Sequence, residues 1–370
     1  MNPKKPYLYI VLCLLSLHIA YTQAYEFTTA IDLEAGAITN QGNSATCWSF
    51  ATGSFLESEV IRLTGMHIDL SEMYHVRHTF DVKMWNYITR QGNLMFHGGG
   101  LAHDVMNSIR AKGMVPQHVF PGKKKNQAQH DHAQLDSLLL NMADAYIENP
   151  KNYPEGWKAR AAALLDKELG KEVASFYYNG KPYTPKSFQR MLNIDPDAYV
   201  SVTSFTHRPF YTDFVLNIPH NFSHGTFYNV PLNQLIEVID TALEKGYSLV
   251  LECDGTEISF MFQEGVGMAI IPTDYKQLKK GAQHIVPEKE INQAFRQQEF
   301  ENFNTTDDHL MHITGKITDQ KGNVYYKVKN SWGPNSGRSG YMYMSVPYIR
   351  LKTISVTVHK DILKQLNLTS

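Results

Sequence analysis

One of the three cysteines stands where a polar loop passes into a predicted helix. Cys47 follows the small polar residues 40–46, and apolar side chains then recur at roughly helical spacing, at Trp48, Phe50, Phe55, Leu56 and Val60. A thiol at the start of a helix faces unpaired backbone N–H groups and the positive end of the helix dipole, and both favour the nucleophilic thiolate. Gln41, six residues earlier, could direct a side-chain amide at an oxyanion forming near this sulfur. Taken alone, however, Cys47 is more simply interpreted as a buried structural cysteine.

A second group of polar residues lies in the last quarter of the chain. Residues 307–312 supply His309, and residues 328–333 supply Asn330 beside an aromatic residue. A thiolate needs a base that holds its proton and later protonates the leaving amine, and the base needs an acceptor that fixes its ring. Gln41, Cys47, His309 and Asn330, in this order, therefore predict catalysis by a nucleophilic thiol.

His312 is the alternative to His309 as the base. If this segment is a strand, positions 309 and 312 face opposite sides, so only one of the two can reach Cys47. The two histidines with the neighbouring aspartates could instead form a metal site, but no third ligand motif accompanies them. We therefore predict no metal and no cofactor.

The motifs around these residues resemble the papain superfamily of cysteine peptidases. The resemblance rests on Gln41, on Cys47-Trp48-Ser49-Phe50 and on Asn330-Ser331-Trp332-Gly333. More narrowly, the chain is similar to the bleomycin hydrolase and aminopeptidase C branch, through segments 98–100, 113–116, 228–232 and 251–254. The similarity spans about residues 38–358. The branch places its base directly before two apolar residues, and this pattern selects His309.

The resemblance implies an α+β, papain-like two-lobed fold. A helical lobe and an antiparallel, β-barrel-like lobe would enclose the active-site cleft between them. Cys47 and His309 would form a thiolate–imidazolium pair, and the Gln41 side chain and the Cys47 backbone N–H would form the oxyanion hole. Asn330 would orient the imidazole, and Trp332 would shield that hydrogen bond. The three glycines would line the cleft and bind substrate backbone, with a simple turn between helices as the alternative: Gly98, Gly99 and Gly100.

The predicted elements divide the chain into a helical and a β-rich part. The helical lobe covers residues 25–195, with a helical insertion at about 121–192, and Ser71 is the predicted N-cap of its second helix. A third helix is predicted near residues 80–91, and amphipathic helices at 138–146 and 157–169. The β-rich lobe covers residues 196–358, one helix at 232–245 interrupts it, and residues 359–370 form a tail. Its predicted strands are 199–205, 214–218, 249–253, 313–318, 324–330, 341–345 and 354–359.

Residues 1–24 have the composition of a cleavable signal peptide. Two lysines precede a 15-residue apolar run, and small residues follow it. The run is shorter than the ~20 residues of a membrane-spanning helix, so we predict export to the periplasm or the medium and no stable membrane span, with an uncleaved anchor as the alternative. Cys13 would be removed with the leader, and a nucleophilic Cys47 could not be locked in a bridge with Cys253, so no disulfide is predicted.

The resemblance implies a cysteine peptidase that acts on peptide substrates through an acyl-thioester. With 35 basic and 36 acidic residues the net charge is −1, so no nucleic-acid partner is expected. In the resembled branch the C-terminal tail lies in the cleft and its carboxylate captures the substrate amine, which favours aminopeptidase action. Here only residues 360–370 follow His359. Endopeptidase or amide hydrolase activity, a catalytically silent binding protein, and homo-oligomerisation all stay open.

Overall fold

The computed structural model describes residues 24–124, 126–151, 156–280 and 284–368. The predicted signal peptide, apart from Ala24, lies outside these residues. In this part of the chain no helix has the length and apolar character needed to cross a membrane.

The helices include most of the segments predicted from periodicity. The first begins at Cys47 and ends at Gly65, which adopts a left-handed conformation with φ of 71°. Ser71 caps the second helix by accepting a hydrogen bond from the Tyr74 N–H, as predicted. The prediction of a separate helix near residues 80–91 was wrong. The second helix continues to Thr89 because no glycine or proline interrupts it. The helices are α1 (Cys47–Thr64), α2 (Glu72–Thr89), α3 (Ala102–Lys112), α4 (Ala133–Glu148), α5 (Trp157–Glu168), α6 (Pro185–Met191), α7 (Leu232–Glu244), α8 (Gln293–Glu301), α9 (Val346–Lys352) and α10 (Lys360–Gln365).

Most of the strands belong to the second half of the chain. Two of them, β2 and β3, form a separate hairpin. The strands are β1 (Phe27–Asp32), β2 (Phe176–Tyr178), β3 (Lys181–Tyr183), β4 (Tyr199–Thr203), β5 (Asp213–Val215), β6 (Thr226–Asn229), β7 (Leu249–Cys253), β8 (Phe260–Met261), β9 (Met268–Ala269), β10 (His309–Asp319), β11 (Val324–Lys329), β12 (Tyr341–Ser345) and β13 (Thr353–His359).

The remaining strands form one large sheet. Their order is β5-β6-β4-β13-β7-β10-β11-β12-β9-β8, with β1 added on β10. Among the described residues this order does not return to its start, so the barrel-like lobe is an open sheet. Its pairs are antiparallel, except β4 with β6 and β9 with β12. The architecture is thus the predicted α+β class.

Buried apolar side chains form two main clusters. The first surrounds α1, α2 and α3 and includes Trp48 and Phe55. The second lies between α7 and the sheet and includes Leu251 and Tyr326. Helix α1 packs against β10, where Ser54 Oγ lies 3.0 Å from His312 Nδ1. This packing brings the beginning of α1 close to the beginning of β10.

Candidate active site

Cys47 is the first residue of α1, at the end of a loop fixed by its own side chains. Ser44 Oγ donates a 2.6 Å hydrogen bond to the Gln41 carbonyl and lies 2.5 Å from Thr46 Oγ1. Cys47 is 8 % exposed. The backbone N–H groups of Trp48 and Leu310 act on its sulfur and lower the pKa of the thiol, against the effect of burial. Because Leu310 directly follows His309, the thiol lies at the strand that carries the predicted base.

The predicted base and its orienting amide are in contact. His309 Nε2 lies 2.9 Å from Asn330 Oδ1, which also accepts a 2.8 Å hydrogen bond from the Ser331 N–H. With this acceptor at Nε2, the basic nitrogen of the neutral ring is Nδ1. The Trp332 indole stacks on the imidazole, with ring centroids 4.6 Å apart and an angle of 28°. The indole therefore covers one face of the imidazole.

Gln41 joins the cysteine loop to the asparagine segment. Its backbone N–H donates to the Ser331 carbonyl at 2.9 Å, and its side-chain Oε1 accepts a 2.7 Å hydrogen bond from Ser331 Oγ. An isolated antiparallel bridge pairs Asn40 with Trp332. Because its oxygen is held by Ser331, the Gln41 amide nitrogen remains the donor that can face a substrate oxyanion.

The other candidate histidine lies on the opposite side of β10. His312 pairs in register with Lys329, and both contact Ser54 of α1. His309 instead lies beside Asn330 on the other face, as the strand period requires. Among the described residues no group of three His, Cys, Asp or Glu side chains is arranged to hold a metal ion.

Burial favours the neutral forms of both reacting groups. Desolvation raises the pKa of Cys47 to about 11, and the negative charge of Asp308 acts in the same direction, against the stabilising N–H groups. Desolvation also lowers the pKa of His309 to about 4, against its hydrogen bond to Asn330. Burial thus opposes the ionisation of each group taken by itself. Mutual attraction between a thiolate and an imidazolium acts in the opposite direction, and the charged pair expected from the sequence stays a prediction.

The three glycines flank the cysteine loop but are covered. The Gly98 carbonyl accepts a 2.8 Å hydrogen bond from Trp48 Nε1. All three glycines are buried, and the Lys83 ammonium donates to the Gly99 carbonyl. A Cβ added at Gly99 would lie 2.4 Å from the rings of both His97 and His220. The glycines thus border the site without presenting an open backbone edge to a peptide.

The C-terminal tail begins at the end of β13 that lies away from the active site. Strand β13 begins near the site, because Thr353 pairs with Cys253 and Cys253 pairs with His309. It ends away from the site, where His359 pairs with Tyr199. At ~3.3 Å per residue the tail begins roughly 20 Å along the strand from the site end. Its apolar residues are buried in the sheet cluster: Ile362, Leu363 and Leu368. Residues 360–368 therefore do not lie beside Cys47, unlike the tail that the resemblance implies.

Three polar residues that the sequence did not predict as part of the site contact one another beside it: His97, His220 and Asp307. His97 precedes the glycines, and Asp307 lies two residues before His309. Nearness in sequence to predicted site residues could have pointed to His97 and Asp307. Nothing in the sequence around His220 indicates that it lies near the site. Cys253, predicted to be a core residue, is fully buried.

Comparisons with known proteins place this geometry in a family. The model of the Peptidase C1-like family matches residues 167–369. The chain is 22 % identical to aminopeptidase G of Lactobacillus delbrueckii subsp. lactis, over 90 % of this chain and 83 % of the relative. It is 23 % identical to aminopeptidase C of Listeria monocytogenes, over 89 % of this chain and 81 % of the relative.

A solved structure shows the same fold. The crystal structure of PepW from Lactobacillus rhamnosis HN001 superimposes with a TM-score of 0.69 at 17 % identity, covering 92 % of this chain and 85 % of that chain. The family model itself covers more than half of the chain, including His309, Asn330 and Trp332. The resemblance to the papain superfamily and its aminopeptidase C branch is confirmed, and the chain belongs to the Peptidase C1-like family.

Proposed function

We propose that this protein is a cysteine-type aminopeptidase that removes amino-terminal residues from peptides. The observation that carries the proposal is the meeting of Cys47 with the strand of His309, whose Nε2 is held by Asn330. The similarity to relatives named aminopeptidases C and G supports the choice of an exopeptidase.

Cys47 and His309 act together in the first chemical step. Cys47 Sγ attacks the carbonyl carbon of the scissile amide, and the thiol proton is taken up by His309 Nδ1. The new oxyanion accepts hydrogen bonds from the Gln41 side chain and the Cys47 backbone N–H. The imidazolium, oriented by Asn330, then gives its proton to the leaving amine.

The second half of the reaction reuses the same groups. Loss of the amine leaves an acyl-thioester on Cys47. A water molecule attacks this thioester while His309 takes its proton, and the same two donors bind the second oxyanion. Collapse returns the proton to sulfur and releases the amino acid.

Endopeptidase or amide hydrolase activity would use the same four residues: Gln41, Cys47, His309 and Asn330. A free and an N-acetylated version of one peptide, incubated with the purified protein, distinguish these activities. Cleavage of the free peptide alone is the expected result, and equal cleavage of both would refute aminopeptidase action. A silent binding protein would cleave neither.

We further propose that the protein is exported. The support is the lysine-led apolar segment within residues 1–24. Amino-terminal sequencing of the protein recovered outside the cytoplasm should give a chain that begins near residue 25. An intact residue 1 on the exported protein would contradict a cleaved leader.

A further inference from the structure

Three side chains outside the catalytic set form a connected group beside the site. Asp307 Oδ2 accepts hydrogen bonds from the His220 backbone N–H at 2.9 Å and from His220 Nδ1 at 3.1 Å. The His220 ring packs edge-on against His97, with centroids 4.9 Å apart and an angle of 82°. We call His97, His220 and Asp307 the clasp.

The clasp joins the two edges of the site. On the helical side, His97 directly precedes Gly98, and a Cβ on Gly98 would lie 2.6 Å from the Ser44 carbonyl of the cysteine loop. On the sheet side, Asp307 lies two residues, or about 7 Å of extended chain, before His309. The clasp therefore connects the glycine loop beside the cysteine loop with the segment that leads into His309.

The contacts of the clasp close this end against a peptide. The Asp307 side chain is 5 % exposed and the His220 side chain 19 %. The two imidazoles cover Gly99 so closely that even a methyl group there would clash with both. The Lys83 ammonium fixes the backbone of this glycine loop. It donates hydrogen bonds to the His97 carbonyl, at 2.6 Å, and to the Gly99 carbonyl. A peptide that continued past this point would have to displace the rings.

We propose that the clasp ends the cleft on the amino-terminal side of the scissile bond and limits the enzyme to substrates with one residue before that bond. The inference rests on the proposed function, because aminopeptidase action assigns the closed end to the amino side. His220 is then a residue that determines specificity by occupying space, and it takes no part in bond making. Steric exclusion of this kind discriminates by factors of about 10 to 200 per small group.

The test compares two fluorogenic substrates that differ only at the amino terminus. One is an aminoacyl amide with a free α-amine, and the other is its N-acetyl derivative. In His220→Ala we expect kcat/KM for the acetylated substrate to rise at least about tenfold, while that for the free amine changes little. His220→Gln fills most of the same space and should keep the selectivity of the wild type. His67→Ala is the matched control, because His67 is an exposed histidine just beyond the distant end of α1.

Gain of a new substrate cannot result from general loss of structure. An unchanged ratio of the two kcat/KM values in a folded His220→Ala protein would overturn the clasp. If that variant does not fold, His97→Ala uncovers Gly99 from its other side and must give the same gain. The wild type tests the proposed function separately, since equal cleavage of both substrates, or of neither, refutes aminopeptidase action before any variant is compared.

Discussion

Replacing Gln41 by alanine should slow turnover about 10²–10³-fold with little change in KM. The backbone of the loop should survive the change, because the Gln41 N–H bond to the Ser331 carbonyl belongs to the main chain. What is lost is the side-chain amide, whose oxygen is fixed by Ser331 Oγ at 2.7 Å. Removal of one such preorganised donor typically raises the barrier by about 2.7–4 kcal/mol.

The contact with Ser331 provides a graded second variant. Ser331→Ala leaves the amide in place but removes the hydrogen bond that orients it, which is worth about 0.5–1.5 kcal/mol. We therefore expect only about a two- to tenfold loss of kcat from Ser331→Ala. Gln134→Ala, at an exposed position on α4, serves as the control and should be unaffected.

Steady-state kinetics with a free-amine substrate, alongside thermal unfolding of each variant, measures these effects. A Gln41→Ala protein with kcat within about threefold of the wild type would refute the oxyanion role. A rise in KM with unchanged kcat would show that Gln41 binds the ground state instead.

Three further predictions follow from contacts and burial. Asn330→Ala frees the His309 ring and should lower kcat by about 10–100-fold, which is less than complete loss of the base. Because burial raises the pKa of Cys47 to about 11, its alkylation by iodoacetamide should accelerate about tenfold per pH unit between about pH 6 and 9. Burial also raises the pKa of Glu57 to about 7, so Glu57→Gln should stabilise the protein by on the order of 1–3 kcal/mol at about pH 8 and by little near pH 4.5.

Each of these has a distinct contrary result. Full activity in the Asn330 variant would show that packing by Trp332 alone orients His309. A plateau in the alkylation rate near neutral pH would reveal a thiolate–imidazolium pair at rest. The pKa of Glu57 is higher in the folded than in the unfolded protein. Ionisation of Glu57 therefore lowers the free energy of unfolding as the pH rises, and Glu57→Gln removes this loss. Equal effects of Glu57→Gln at both pH values would contradict this.

Local chemistry allowed several features to be predicted from the sequence. The polar-to-apolar change at Cys47 fixed the start of α1, and the Ser71 hydroxyl fixed the start of α2. The predicted strands 249–253 and 341–345 have the same bounds as β7 and β12, because β-branched and aromatic runs end there at polar or turn residues. The contact between His309 and Asn330 followed from the chemistry of a base that needs an acceptor.

Other features depend on tertiary structure that no local pattern encodes. His97, His220 and Asp307 are far apart in the chain and meet only because α1 packs against β10 and brings both edges of the site together. The burial that raises the pKa of Cys47 and lowers that of His309 likewise depends on tertiary packing, which the sequence alone does not give.

The assignment of Cys47 as the nucleophile can be tested against a second buried thiol, because Cys253 provides a matched comparison. Cys253 lies opposite His309 on the neighbouring strand and is fully buried. The measurement is hydrolysis of a free-amine peptide by the wild type, Cys47→Ala and Cys253→Ala, with mass spectrometry of each protein after iodoacetamide treatment at about pH 9. We predict that Cys253→Ala stays active and loses activity in step with one alkyl group on Cys47, while Cys47→Ala is inactive from the start. Activity in a Cys47→Ala protein, or full activity after Cys47 is alkylated, would show that another group is the nucleophile.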